Sequence, residues 1–260
     1  MTFSSSSLAD DEQLKRLAAR LRDARQIVVL TGAGISTESG IPDFRGPQGL
    51  WTKDPSAERR ATIQHYIADA EHRKQVWRNR AQGEVFGGEP TAGHVALVEL
   101  ERRGALHTLV TQNVDGLHQA ADSSPEIIIE IHGNIHQAKC LSCGWHGPMG
   151  ETLDRVRAGD PDPACLVCGG MLKSATISFG ENLVPADLER AQVAAAGADV
   201  FLAVGTSLGV YPAAALPEIA LRSGATLAVL NADETPFDPQ AEFVFRDRLG
   251  EVLPALIERV

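Results

Sequence analysis

The feature that most constrains this chain is a short apolar run that ends in a glycine turn. Ile27-Val28-Val29-Leu30 leads directly into Thr31-Gly32-Ala33-Gly34-Ile35-Ser36. Such a run, bounded by turn chemistry, reads as a buried strand, and the small residues after it let backbone N–H groups approach a phosphate at a helix N-terminus. Runs of the same kind recur at 107–111, 127–131, 200–204, 226–230 and 242–245. Helical patterns separate several of them. Residues 11–24 carry Leu14, Leu17 and Leu21 at helical spacing, and 92–103, 186–196 and 212–223 end at Gly104, Gly197 and Gly224, each a plausible helix terminator. Alternating strands and helices pack as parallel strands with crossover helices, so the expected fold class is α/β, a doubly wound, Rossmann-like parallel sheet.

Two segments break the alternation. Residues 49–90 are polar and helix-prone, with Trp51 and Trp77 as anchors, and residues 135–176 hold all four cysteines among many Gly and Pro. The expected division is a Rossmann-like domain from 1–48, 91–134 and 177–260, with a helical insertion (49–90) and a zinc-ribbon insertion (135–176) forming a smaller domain. Cys140 and Cys143 form one CxxC pair and Cys165 and Cys168 another, with 21 residues between the pairs. Each pair can present two thiolates from a tight knuckle, and two knuckles close a tetrahedral zinc site with no position for a catalytic water. The alternative is unbound thiols or redox pairs. His136 and His146 lie nearby, but four sulfurs already fill the shell.

The charge balance of -10 over 260 residues argues against nucleic acid, whose binding rests on phosphate neutralisation by Lys and Arg. An acidic body suits a cationic partner better, such as a Lys-rich peptide. No apolar run approaches the roughly 18–20 residues of a membrane span. The N-terminus lacks the basic and apolar regions of a secretory signal, so the expected location is the cytoplasm.

The polar chemistry sits where strands end. Gly32-Ala33-Gly34-Ile35-Ser36-Thr37 has Thr in place of the third Gly of GxGxxG, and Trp51 stands where a dehydrogenase would carry its acidic residue. Taken alone, this turn is as readily structural as nucleotide-binding. Gly40-Ile41-Pro42-Asp43-Phe44-Arg45-Gly46 reads as either a polar loop or a shaped lid over a ligand. Thr111-Gln112-Asn113-Val114-Asp115-Gly116-Leu117-His118 follows one strand and His132-Gly133-Asn134 another. Gly205-Thr206-Ser207 and Asn231-Ala232-Asp233 follow two more, and Phe179-Gly180-Glu181 closes the cysteine segment. Together they put polar or Gly-rich turns along one sheet edge, where open α/β sheets bind ligands. A histidine beside Gly on that rim is a candidate acid or base.

Taken in order, these motifs resemble the sirtuins of bacteria, from about residue 25 to the C-terminus. The resemblance implies an NAD-dependent protein-lysine deacetylase that transfers the acetyl group to ADP-ribose and releases nicotinamide, with NAD as consumed co-substrate and one structural zinc. It implies His132 as general base, with Asn113 and Asp115 also catalytic. Gly32, Ala33, Gly34 and Ser36 would line the phosphate and ribose site, and Asp43, Phe44 and Arg45 a mobile cofactor loop. Gln112, Asn113 and Asp115, helped by Ile41, would form the nicotinamide pocket. Gly205, Thr206, Ser207, Asn231, Asp233 and Leu249 would hold the adenosine half. An acetyl-lysine protein or peptide would be clamped as an added strand between Ile177, Phe179, Gly180 and Glu181 on one side and Gly209, Val210 and Tyr211 on the other.

The chain departs from the family pattern at Lys173-Ser174-Ala175-Thr176-Ile177-Ser178, where many relatives carry an Arg-Pro pair and an apolar run. It also lacks the Tyr-x-x-Arg of desuccinylating relatives. Residues 76–82 read Val-Trp-Arg-Asn-Arg-Ala-Gln, and Tyr66 is followed at that spacing by Asp69. Acetyl or longer apolar acyl groups are therefore expected over acidic ones. Competing readings are an ADP-ribosyltransferase or NAD hydrolase on the same site, and a zinc-ribbon binding module, which would have no use for Asn113, Asp115 and His132 at strand ends.

Overall fold

The apolar runs become strands of one sheet. A computed structural model describes residues 8–44, 46, 49–83 and 88–260. Its strands are β1 (Ile27–Thr31), β2 (Leu106–Thr111), β3 (Ile128–Glu130), β4 (Gly133–Cys140), β5 (His146–Pro148), β6 (Leu172–Thr176), β7 (Val200–Val204), β8 (Thr226–Leu230) and β9 (Phe243–Phe245). Its helices are α1 (Leu8–Asp23), α2 (Leu50–Lys53), α3 (Pro55–Arg60), α4 (Ile63–Ala68), α5 (Ala70–Ala81), α6 (Ala92–Arg102), α7 (Leu117–Ala120), α8 (Met149–Arg157), α9 (Pro185–Gly197), α10 (Leu216–Arg222) and α11 (Leu249–Ile257).

Six strands form a parallel sheet in the order β3-β2-β1-β7-β8-β9. Side chains alternate between its faces. Val29, Leu109, Leu202 and Leu230 pack on Leu17, Leu21, Leu97 and Leu253 of α1, α6 and α11. Val28, Leu30, Phe201 and Ala203 pack on Ala191, Ala195, Leu216 and Ala220 of α9 and α10. Both faces are covered, so the strands read as continuous apolar runs. The register puts Glu130, Thr111, Thr31, Val204, Leu230 and Phe245 in one row across the sheet, so the turns after them emerge along one edge.

The two segments outside the alternation meet each other. The antiparallel sheet β5-β4-β6 and helices α5 and α8 share a small core of Trp77, Ala138, Cys140, Met149, Cys165 and Leu172. Arg73 of α5 grips Asp162 through Nε at 3.2 Å and Nη2 at 2.8 Å. Trp77 is the anchor expected of it, with no exposed surface. Trp51 instead packs between Phe44 and Phe179, tilted against one and edge-on to the other, at 4.8 and 5.2 Å between ring centroids.

Three local expectations change. The segment after Gly32 is a 3-10 helix, Ala33–Ser39, ended by Gly40 at φ 81°. Residues 212–223 divide into a 3-10 turn, Ala213–Ala215, and then α10. Gly104 and Gly224 end their helices with positive φ, whereas Gly197 is the last residue inside α9, followed by extended Ala198. Just beyond that end, the Asp199 carboxylate accepts from the Arg25 and Gln26 N–H groups at 2.7 and 3.0 Å. Among the described residues no helix is long and apolar enough to cross a membrane.

Candidate active site and metal centre

A cavity of about 930 Å³ lies between the sheet edge and the segments containing α2–α5 and β6. Its sheet wall is built from the ends of β1 (Gly32, Ala33, Gly34, Ser36), β2 (Gln112, Asn113, Asp115), β7 (Gly205, Thr206, Ser207) and β8 (Asn231, Asp233). His132, just past β3, joins them. Ile41, Asp43 and Phe44 come in from the loop after the 3-10 helix, and Ile177, Phe179, Gly180, Glu181, Val210 and Tyr211 also line the cavity. Two expected residues are elsewhere. Leu249 opens α11 and packs against the core on the α1/α6 face of the sheet, and Gly209 is not part of the cavity wall. Arg45 lies outside the described residues.

The strand ends are tied by their own side chains. Ser36 Oγ donates to Asp115 Oδ2 at 2.8 Å, and Asn113 Nδ2 donates to the Gly32 carbonyl at 3.0 Å and to Ser36 Oγ at 3.2 Å. Asp115 Oδ1 accepts from the Leu117 N–H, and Gln112 Nε2 donates to Thr206 Oγ1 at 2.9 Å. Asn113 and Asp115 are thus buried polar groups with their partners supplied, which fixes their orientation at the cavity wall.

The glycine turn has a reason beyond ligand approach. The Gly32 N–H bonds to the Val204 carbonyl at 3.0 Å and the Gly34 N–H to that of Gly205 at 2.9 Å. A Cβ on Gly34 would stand 2.7 Å from Gly205 Cα, and one on Gly32 would stand 2.7 Å from Gly205 O. The glycines let two turns interlock backbone to backbone.

His132 Nδ1 lies 3.1 Å from the Gln112 carbonyl, which can only accept, so Nδ1 carries the proton and Nε2 keeps its lone pair. Burial lowers its pKa from the ordinary value, against a smaller upward pull from the Gln112 carbonyl. A neutral imidazole with a free Nε2 is the form a general base requires.

The departure at 173–178 has a structural account. Lys173 is buried and points Nζ at Glu181 Oε2, 2.5 Å away, while Lys139 Nζ takes Oε1 at 2.9 Å. Glu181 Oε2 also accepts from the Ser178 N–H at 2.8 Å. Glu181 lines the cavity, yet its carboxylate is engaged inside the chain. The Ile177 N–H bonds to the His132 carbonyl and the Phe179 N–H to that of Ala61, which narrows the edge open to an added strand.

Sequence reasoning missed Tyr66, Arg80, Lys173 and Ser174 on the cavity wall. The Tyr66 hydroxyl donates to the Leu172 carbonyl at 2.7 Å, and Arg80 Nη2 donates to Ser174 Oγ at 3.2 Å. Burial lowers the Arg80 pKa. The available signal was helical: Arg73, Trp77 and Arg80 stand at i, i+4 and i+7, one inward stripe of a helix that reads as polar.

Cys140, Cys143, Cys165 and Cys168 bring their sulfurs within 4.8 Å of one another, with Cys140–Cys168 at 3.6 Å and Cys143–Cys165 at 3.8 Å. Four thiolates about 2.3 Å from a tetrahedral zinc stand about 3.8 Å apart, so the set fits that ion. Knuckle N–H groups of Ser142 and Gly170 donate to Cys140 and Cys168 sulfur at 3.4 Å each. The two histidines stay out: His146 Nδ1 bonds to the Gly144 carbonyl and His136 Nε2 to the Asp115 carbonyl at 3.0 Å.

Comparison with known proteins agrees with this arrangement. The family profile described as "Sir2 family" matches residues 32–212. The chain is 48% identical to "NAD-dependent protein deacetylase 2" of Streptomyces coelicolor over 231 residues, covering 89% of this chain and 96% of that protein. It is 41% identical to "NAD-dependent protein deacetylase 1" of Bradyrhizobium diazoefficiens, covering 92% and 93%. The solved structure "Sir2-p53 peptide-NAD+" superposes with a TM-score of 0.82 at 34% identity, covering 94% of this chain and 97% of that one. "Sir2 bound to acetylated peptide" gives 0.82 at 32%, with the same coverage. Identity of that degree, continuous along both partners and matched in three dimensions, means that the chain belongs to the Sir2 family.

Proposed function

We propose that this chain is an NAD-dependent protein-lysine deacetylase. The observation that carries the reading is a cavity of about 930 Å³ in which a neutral His132, Nε2 free, stands with the buried pair Asn113 and Asp115 beside a Gly-rich edge. NAD, when bound, supplies the ADP-ribose carbon that accepts the acyl oxygen and gives up nicotinamide. The chain's own residues do the rest. Asn113 and Asp115, with Gln112 and Ile41, hold the nicotinamide end. The turns at Gly32–Ser36, Gly205–Ser207 and Asn231–Asp233 hold the adenosine end, and Asp43 and Phe44 cover the ribose. His132 Nε2 takes a ribose hydroxyl proton while its Nδ1–H stays on the Gln112 carbonyl. The acetyl-lysine peptide enters between Ile177–Glu181 and Val210–Tyr211. The names of the relatives, and the similar structures solved with NAD and acetylated peptide, support this reading.

The same proposal divides the chain into an NAD-binding unit (1–48, 91–134, 177–260) and a smaller unit (49–90, 135–176). The separate six- and three-stranded sheets, each with its own core, support that division. One structural zinc occupies the four thiolates, and the protein resides in the cytoplasm, a reading supported by cysteines arranged for metal.

The test is nicotinamide release. It should depend on an acetyl-lysine peptide and vanish in His132→Ala. Rapid NAD cleavage without peptide would support the hydrolase instead.

A further inference from the structure

Three half-buried aromatic rings line one stretch of the cavity wall: Phe44, Trp51 and Phe179. Phe44 belongs to the loop that covers the ribose in the proposed function, and Phe179 to the segment that borders the peptide. The Trp51 indole, on α2, touches both. It is tilted 38° against Phe44 at 4.8 Å between ring centroids and stands at 61° to Phe179 at 5.2 Å. Trp77 anchors the small core with no exposed surface, whereas Trp51 keeps part of its surface open on the cavity.

The two phenylalanines are held from different places. The Leu50 and Trp51 N–H groups donate to the Asp43 and Phe44 carbonyls at 2.9 Å each, and Thr52 Oγ1 donates to the Gly46 carbonyl at 2.9 Å. The first turn of α2 therefore sets where Phe44 stands. Phe179 is held by the segment that opens α4: its N–H donates to the Ala61 carbonyl at 3.2 Å, and its carbonyl accepts the Ile63 N–H at 2.9 Å. The ring contact of Trp51 with Phe179 bridges these two bonded units. A contact between aromatic rings is specific in geometry, yet it is worth a factor of only about two to ten in an equilibrium. A ligand that orders either wall can therefore shift it.

We propose that Trp51 is a positioning residue that couples the two substrates: a peptide seated against Phe179 fixes the indole, and the indole holds Phe44 over the ribose. Trp51 touches neither reacting atom. The inference rests on the deacetylase reading and adds to it an order of events, in which the wall over the cofactor is completed when the peptide is in place. By linkage the effect is reciprocal, so bound dinucleotide must tighten the peptide by the factor with which the peptide tightens the dinucleotide.

Calorimetry reads that factor with two probes, an acetyl-lysine peptide and carba-NAD, an analogue that cannot release nicotinamide. In the unsubstituted protein each probe should tighten the other about tenfold. In Trp51→Ala the factor should fall to within about twofold of one, and Trp51→Tyr, which restores a ring, should recover a factor of about three. Phe179→Leu breaks the same contact from the peptide side, so it should lose the coupling as Trp51→Ala does, and the double variant should lose no more. An unaltered factor in a folded Trp51→Ala or Phe179→Leu protein overturns the proposal, as does weaker binding of each probe alone with the factor intact, the result expected of a ring that only anchors α2. Both probes binding the unsubstituted protein without coupling sinks this inference and leaves the deacetylase standing. Failure of both probes to bind sinks the deacetylase reading and this inference with it.

Discussion

Glu181→Gln separates a structural role from a ligand role at one position. In the folded chain the Glu181 carboxylate meets Lys173 Nζ at 2.5 Å and Lys139 Nζ at 2.9 Å. The Lys173 side chain is 3% exposed, and burial pulls its pKa from 10.5 down to about 8 even with Glu181 pulling it up. Glutamine keeps the size but removes the counter-charge. Lys139 can turn toward water, but Lys173 cannot, and it is left with neutral acceptors such as the Thr176 carbonyl at 2.7 Å. Breaking a buried pair from one side costs about 3–5 kcal/mol, and the relief open to Lys139 puts this case near the lower end, about 3 kcal/mol at pH 7. The sign of the pH dependence follows from Lys173. Its folded pKa is depressed, so the folded state sheds that proton before the unfolded state does. Without the counter-charge that pKa falls further, so the difference between the two proteins shrinks as pH rises toward about 8 and stays small once Lys173 is neutral in both folded states. Urea unfolding followed by circular dichroism at pH 7 and pH 9.5 measures both values. A loss below about 1 kcal/mol at pH 7, or an equal loss at both pH values, would refute the reasoning. A large drop in peptide affinity with unchanged stability would restore Glu181 as a peptide contact.

Other perturbations test other parts of the fold. Elemental analysis should find one zinc per chain, and Cys165→Ser should lose it. Because Trp77 shares the small core with Cys140 and Cys165, its fluorescence should shift to the red in the variant and on chelation; one metal-free, fully folded protein would sink the assignment. Gly205→Ala should cost about 3 kcal/mol in thermal or urea melts, since Gly205 has φ 61° and a Cβ there would stand 2.5 Å from Ile35 N; a neutral substitution would mean the turns are loosely packed. Acid should weaken the protein before its carboxylates titrate. His94 and His118 have depressed pKa values, so the unfolded state takes up their protons first, and stability falls as pH drops from about 6.5 toward 4 and 3. Each should contribute about 2 kcal/mol of loss between pH 7 and pH 5, and a flat urea midpoint over that interval would contradict it.

The legible part of this chain was its local chemistry. Ile27–Leu30, 200–204 and 226–230 declared themselves as strands because burial on both faces leaves these runs apolar but for Thr226. The CxxC spacing declared a metal site because two knuckles need nothing from afar to make four thiolates. The glycines at 32 and 34 were legible as a tight turn. That their N–H groups bond to Val204 and Gly205 was not, because the partner lies more than 170 positions away. Separations of 94 and 106 positions from Ser174 and Leu172 hid Arg80 and Tyr66, which enter the cavity from a segment that reads as polar surface.

By itself, then, the sequence determined the α/β class, the strand ends that carry polar turns, the cysteine quartet and, through its ordered motifs, the family. All of these follow from period, spacing and residue type, which act over a few neighbouring residues. Only the tertiary structure decided that Leu249 faces the core, that the Glu181 carboxylate pairs with Lys139 and Lys173, and that the free nitrogen of His132 is Nε2. Each of those depends on a partner brought close by the parallel register of the sheet or by the meeting of two insertions, and a partner's identity is written in no local pattern.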